Sequence, residues 1–346
     1  MTNINILNLS KIELEALLSS IGEQKFRASQ ILNWIYQKNT LDFDLMLNLP
    51  EHLRTKLKEN YNLILPQIYK TNISKQDNSY KFLLKTQDNN LIESILMLEK
   101  DRTTLCVSCM IGCPLKCKFC ASGNELKFKR NLNSSEIIGQ FIEIQNFIIK
   151  NNLSKKITNI VFMGMGEPLL NLENIEKTLE ILTSPDILGL SKSRITVSTA
   201  GIIKGLSNFI NKWGVKLAVS LHFPTEEQRS EFMPINKINL LSNLIIELKK
   251  INLNKRDYIT IEYLMLKNIN DSLDHAKKLV NLLSTLKVKI NLIPYNPVSV
   301  FPELPSSEQQ INLFANYLKS KNIFVSVRRS KGQESQGACG QFALKE

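Results

Sequence analysis

From residue 103 onward, short β-branched runs alternate with longer amphipathic ones, and this alternation limits the possible folds more than any other feature. Strands are expected at Thr104 to Ser108, Ile157 to Met163, Arg194 to Ser198, Val215 to Leu221, Tyr258 to Leu264 and Lys289 to Ile293, with helices between them. Parallel strands need crossovers, so six β-α units in series predict an α/β fold, a partial (β/α)6 barrel with its chemistry at the C-terminal ends of the strands. The motifs fall at those ends. A cysteine loop follows the first strand, Gly164-Met165-Gly166-Glu167-Pro168 the second, Ser198-Thr199-Ala200-Gly201 the third, Ser220-Leu221-His222 the fourth, and Pro294-Tyr295-Asn296-Pro297 the sixth. A last strand, Ile323 to Arg328, precedes a glycine-bearing tail that contains Cys339.

Ahead of the barrel the pattern differs. Ser10 and Glu13 have capping-box spacing, Gly22 closes the helix, and the run from Gln24 to Gln37 sets Phe26, Ile31, Trp34 and Ile35 where they can pack. A third helix is expected from Glu51 to Asn60, then short strands from Tyr80 to Thr86 and Leu91 to Leu98 around the turn-prone Asp88-Asn89-Asn90. Residues 1–98 are thus expected to form a small helical accessory domain with a short β extension, 99–332 the barrel and 333–346 a tail. The 346 residues, 43% of them hydrophobic, suffice for such a core. No apolar stretch approaches the length of a membrane span, and Met1-Thr2-Asn3-Ile4-Asn5 lacks an export pattern, so a cytoplasmic protein without membrane association is expected. Lys and Arg exceed Asp and Glu by 12, which suits a polyanionic partner such as nucleic acid.

The cysteine loop reads Cys113-Pro114-Leu115-Lys116-Cys117-Lys118-Phe119-Cys120, and the chain's other cysteines are Cys106, Cys109 and Cys339. Three thiolates on one short loop can each hold one iron of a [4Fe-4S] cluster, leaving the fourth iron open to chelation by S-adenosylmethionine. A disulfide framework does not suit a chain of this length with six cysteines. A structural zinc site would want four closed ligands, usually as two C-x2-C pairs, and only Cys117 with Cys120 forms one. Taken singly the remaining polar residues are ordinary. Glu167 can accept from an ammonium group, and Ser198, Ser220 and Asn296 can bind a ligand, but each reads equally as a strand-end cap. His222 reads equally as a structural histidine, and Glu93 as a solvated strand carboxylate.

The motifs together are more specific. Cys106-Val107-Ser108, Gly112 with the cysteine triplet, Arg130-Asn131-Leu132, Gly164 to Asn171, Ser198 to Gly201, Ser220-Leu221-His222, Asn291 to Pro297 and Ala338-Cys339-Gly340-Gln341 occur in this order. In that series, which spans nearly the whole chain, the sequence resembles the radical-SAM RNA adenine-C2 methyltransferases of the RlmN type. The resemblance implies a [4Fe-4S] cluster on Cys113, Cys117 and Cys120, and an S-adenosylmethionine site lined by Gly166, Glu167, Ser198, Ser220, Leu221, His222 and Asn296. It implies that one S-adenosylmethionine methylates Cys339 and that a second, cleaved reductively at the cluster, yields the radical that takes hydrogen from the S-methyl group. The resulting carbon radical adds to carbon 2 of adenine, Glu93 takes the proton from that carbon, and Cys106 resolves the adduct to leave a transient disulfide with Cys339. The substrates implied are 23S rRNA, at the peptidyl transferase centre, and tRNA. An electron donor such as flavodoxin is implied as a partner, and the chain is expected to be a monomer.

Two positions depart from the pattern. Cys109 stands where serine is expected and reads as an extra small buried residue ahead of a mispairing thiol, and the segment from Asn124 to Lys129 lacks an expected glycine. Three alternatives stay open from the residues alone. They are adenine-C8 methylation of the antibiotic-resistance type, a glycyl-radical activase, which needs neither Cys106 nor Cys339, and a zinc-bearing RNA-binding module.

Overall fold

The computed structural model describes residues 4–74, 76–153, 156–329 and 340–342. Its centre is one ten-stranded sheet in which every strand lies beside its neighbours in sequence. In chain order these are β1 (Gln67–Ser74), β2 (Ser79–Lys85), β3 (Leu91–Leu98), β4 (Thr103–Cys106), β5 (Asn159–Phe162), β6 (Ile195–Thr199), β7 (Lys216–Ser220), β8 (Ile259–Met265), β9 (Val288–Pro294) and β10 (Phe324–Val327). From β4 to β10 all pairings are parallel. The six expected units and the last strand are all present. Side chains alternate across each strand, so one set faces the helices while the other faces the lumen.

β1 was not foreseen. Most of its residues are at least partly exposed, with Tyr69 and Ile73 more than half exposed, so its edge position leaves no apolar alternation to read. β1, β2 and β3 pair antiparallel, and β3 pairs antiparallel with β4, with Ile95 opposite Cys106. The β extension is therefore continuous with the barrel sheet, and the boundary expected at residue 98 falls inside it.

Helices Lys11–Ser20, Arg27–Tyr36 and Glu51–Asn60 precede the sheet. The first has the expected capping box, and Gly22 closes it at φ +85°. Ile31 and Ile35 are buried as expected, but Phe26 is 56% exposed and carries the Arg27 guanidinium over its ring. This layer docks on the helices Ser134–Lys150 and Leu172–Thr183. Asn5 Nδ2 donates to Ser135 Oγ at 3.1 Å, Ser135 N donates to Asn8 Oδ1 at 2.9 Å, and Lys177 pairs with Glu13 at 3.0 Å. Buried apolar residues of this layer and of the barrel form one continuous core. Among the described residues no helix is long and apolar enough to cross a membrane.

Candidate active site

Two connected cavities occupy the barrel. The smaller, about 180 Å³, lies at the C-terminal ends of the strands and is lined by Cys113, Cys117 and Cys120 together with Gly166, Glu167, Ser198, Ser220 and His222. Eight of the expected ligand residues thus meet in one place. Leu221 does not line it. Its side chain is buried in the core, its N–H donates to Glu262 O at 3.1 Å, and its carbonyl accepts from Arg229 Nε at 3.3 Å. Asn296 is buried and follows Tyr295, which lines the cavity.

The glycines of the loop after β5 are there because the backbone passes against the start of the cysteine loop. A Cβ at Gly164 would stand 2.7 Å from Val107 O and Ser108 Oγ, and one at Gly166, where φ is +102°, 2.5 Å from Met110 Cβ. Cys109 is buried in that contact, its Sγ donating to Met165 O at 3.6 Å, as expected of a small buried residue. Between Asn124 and Lys129 the backbone passes against Gly112, where φ is +72° and a Cβ would lie 2.6 Å from Lys127 O. Asn124 itself braces the cysteine loop, its Nδ2 donating to Cys117 O at 2.5 Å and Cys120 O at 2.9 Å.

Among the described residues no three His, Cys, Asp or Glu side chains converge tightly enough to hold a single metal ion. The three loop cysteines all line the cavity, and a cluster takes one thiolate on each of three irons. Burial pushes the Cys113 thiol up to about 12 and raises Cys117 well above the usual range, with the neighbouring loop cysteines adding to the shift. Buried thiolates are stable when a cation neutralises them, so the donor set fits a cluster.

Glu167 is nearly fully buried, and burial raises its pKa to about 7 against the pull of the Ala200 and Leu169 amides, which donate to Oε2 at 2.7 Å and Oε1 at 3.1 Å. His222 adopts φ +59° and has its pKa lowered to about 3 by burial and by nearby Arg229. Its Nδ1 accepts from Leu264 N at 3.1 Å, so the neutral ring presents Nε2–H as a donor and is unsuited to acid catalysis. Arg229, which no sequence motif singles out, is wholly buried on the short helix Glu226–Phe232. Its guanidinium donates to the carbonyls of Ala200 (2.5 Å), Leu221 (3.3 Å) and Ser220 (3.4 Å) and to Asn236 Oδ1 (2.6 Å), tying together the ends of β6 and β7.

The larger cavity, about 590 Å³, runs down the lumen and joins the first at Cys120, Gly164, Glu262, Arg328 and Gly340. Cys106 lines it and packs with Ile95, Met165 and Phe342. Glu93 lies two residues before Ile95 on β3 and therefore on the same face. It is fully buried, not solvated, and its Oε1 pairs with Lys81 Nζ at 2.6 Å. The backbone around it is fixed by a buried network: Ser108 Oγ donates to Glu93 O (2.6 Å), Ser94 Oγ to Gln140 Oε1 (2.6 Å), and Ser108 N to the same Gln140 oxygen (2.8 Å). Cys339 lies outside the described residues. The residues after it are tied to the cysteine loop, Ala121 N donating to Gly340 O at 2.8 Å and Ser122 Oγ to Phe342 O at 2.8 Å.

Comparison with known proteins agrees with this geometry. Residues 4–63 match the family model "Ribosomal RNA large subunit methyltransferase N-terminal domain", and residues 107–281 match "Radical SAM superfamily". A protein of Buchnera aphidicola subsp. Schizaphis graminum, named dual-specificity RNA methyltransferase RlmN, is 43% identical over 342 residues, covering 98% of this chain and 93% of that one. The protein of that name from Oleidesulfovibrio alaskensis is 43% identical over 350 residues, covering 99% and 97%. The crystal structure of a radical SAM methyltransferase from Sphaerobacter thermophilus superposes with a TM-score of 0.90 at 34% identity, over 99% of this chain and 100% of that one. With the fold, the cysteine triplet and the full-length similarity in agreement, the chain belongs to the RlmN family of radical-SAM RNA methyltransferases.

Proposed function

We propose that this enzyme methylates carbon 2 of an adenine in 23S rRNA and in tRNA, with Cys113, Cys117 and Cys120 holding a [4Fe-4S] cluster and the smaller cavity holding S-adenosylmethionine. The observation that carries the reading is the meeting of Cys106, the cluster loop and the tail adjoining Cys339 around one lumen. An activase has no use for that second pair of cysteines, and the relatives are named dual-specificity RNA methyltransferases.

Carbon 2 of adenine is neither nucleophilic nor acidic, so it cannot attack a methyl sulfonium directly. When bound, the cluster supplies the electron that cleaves S-adenosylmethionine into a hydrogen-abstracting radical. The chain's own residues do the rest. Cys339 carries the methyl carbon to the base, Glu93 accepts the proton from carbon 2, and Cys106 breaks the carbon–sulfur bond by forming a disulfide with Cys339. Its ion pair with Lys81 fits this role for Glu93, because a buried carboxylate needs a charged partner. Glu167, its carboxylate oriented by two amides, is placed to receive the ammonium group of S-adenosylmethionine, with Ser198 and Ser220 binding its other polar groups. The N-terminal helical layer and the basic surplus position RNA through its phosphates, and the adenine must be unstacked to enter the lumen.

The test is Cys106→Ala. It should accumulate protein covalently joined to RNA, because the adduct forms and cannot be resolved, while Cys339→Ala should form none. Normal turnover by Cys106→Ala, or an equal crosslink in both variants, would contradict the reading.

A further inference from the structure

One buried carboxylate in the barrel takes no part in the chemistry above. Glu262 stands midway along β8, where Thr260, Glu262 and Leu264 line the cavities while the alternate residues belong to the core. Its Cα partners are Ser220 on β7 and Asn291 on β9, so it sits where the cofactor cavity opens into the lumen, and it lines both. Oε1 accepts from Asn291 Nδ2 at 3.0 Å and stands 3.9 Å from Arg328 Nη1. Asn291 is itself held, its Oδ1 accepting from Ser326 Oγ. Oε2, by contrast, is buried with no hydrogen-bond partner among the described residues, on a side chain that is 5% exposed.

Leaving a buried carboxylate oxygen bare is costly, and an apolar residue could fill the same space without that cost. A bare acceptor on the wall of a substrate cavity is explained if a ligand brings the missing donor. The chemistry around Oε2 says which donor. A carboxylate accepts from an amine and a guanidinium donates to a ring nitrogen, and adenine presents an exocyclic amine next to ring nitrogens. Guanine presents an oxygen in place of that amine and would set lone pair against lone pair.

We propose that Glu262 and Arg328 form the subsite for the target base, Oε2 of Glu262 accepting the exocyclic amine of the adenine to be methylated and Arg328 donating to a ring nitrogen. The inference rests on the RNA-adenine reading above and goes beyond it by naming what recognises the base. Asn291 and Ser326 position the carboxylate without touching the base.

The experiment uses cluster-loaded enzyme and a hairpin RNA carrying at the target position either adenine or unsubstituted purine, which keeps the carbon 2 hydrogen and lacks the amine. Wild type should favour adenine by roughly tenfold or more in kcat/KM, as expected for one hydrogen bond to a charged acceptor. Glu262→Ala should lose rate on adenine and bring the ratio close to unity. A general structural defect would depress both RNAs alike and leave the ratio intact. The proposal is overturned if wild type uses both RNAs equally, a measurement that needs no variant, or if Glu262→Ala retains the preference. Loss of affinity for S-adenosylmethionine would overturn it too, by assigning Glu262 to the cofactor. If wild type methylates neither RNA, the function reading fails and takes the subsite with it.

Discussion

Arg229→Met tests whether the end of the barrel is held together by one buried cation. The guanidinium donates to three carbonyls and to Asn236 Oδ1, all within 3.4 Å. Burial lowers its pKa from 12.5 to about 10, so the charge sits there at a cost of roughly 3 kcal/mol that methionine would not bear. Against that gain, the substitution leaves four buried acceptors bare, at about 1–3 kcal/mol each, or roughly 4–12 kcal/mol together. The acceptors win, and a net loss of roughly 1–9 kcal/mol is expected. In thermal denaturation of cluster-free protein this should appear as a lower Tm. A second readout follows from Cys117, whose thiolate Arg229 favours electrostatically, so the variant should also retain less iron after anaerobic reconstitution. A variant as stable as wild type would show that removing the desolvation cost offsets the lost bonds, and the argument would fall.

Glu167 gives a signed pH dependence. Its folded pKa, about 7, lies above the ordinary 4.5, so its contribution to stability is fully present below pH 4.5 and is lost as pH rises through 7. The stability difference between cluster-free wild type and Glu167→Gln should therefore shift by roughly 3 kcal/mol in favour of the variant across that window, and a pH-independent difference would refute it. Gly166→Ala should destabilise by roughly 3 kcal/mol or more, because strain at positive φ adds to a clash with Met110. Gly189→Ala, with no atom nearer than 3.7 Å, should cost roughly 1–2 kcal/mol, and equal losses in denaturant melts would contradict the close-approach account. Affinity for substrate RNA should fall steeply over a several-fold rise in salt, given the surplus of 12 positive charges; a flat titration would argue against phosphate contacts.

The sequence by itself determined the parallel barrel, because apolar runs spaced by amphipathic helices leave few other ways to bury both faces of a sheet. It also marked out the cysteine loop, because three cysteines within eight residues are legible from local spacing alone. Only the tertiary structure decided the rest. β1 carries no strand pattern because its exposed edge face need not be apolar, and the β extension looked like part of a separate domain until its pairing with β4 was seen. Glu93 read singly as a solvated strand carboxylate, and neither Glu262 nor Arg229 stands out in the sequence, since nothing local to the two glutamates shows the distant Lys81, Asn291 or Arg328 that face them. The role of Arg229 exists because carbonyls from the ends of two separate strands and the side chain of Asn236 converge on it, and such convergence belongs to the packed molecule and to no segment of the chain.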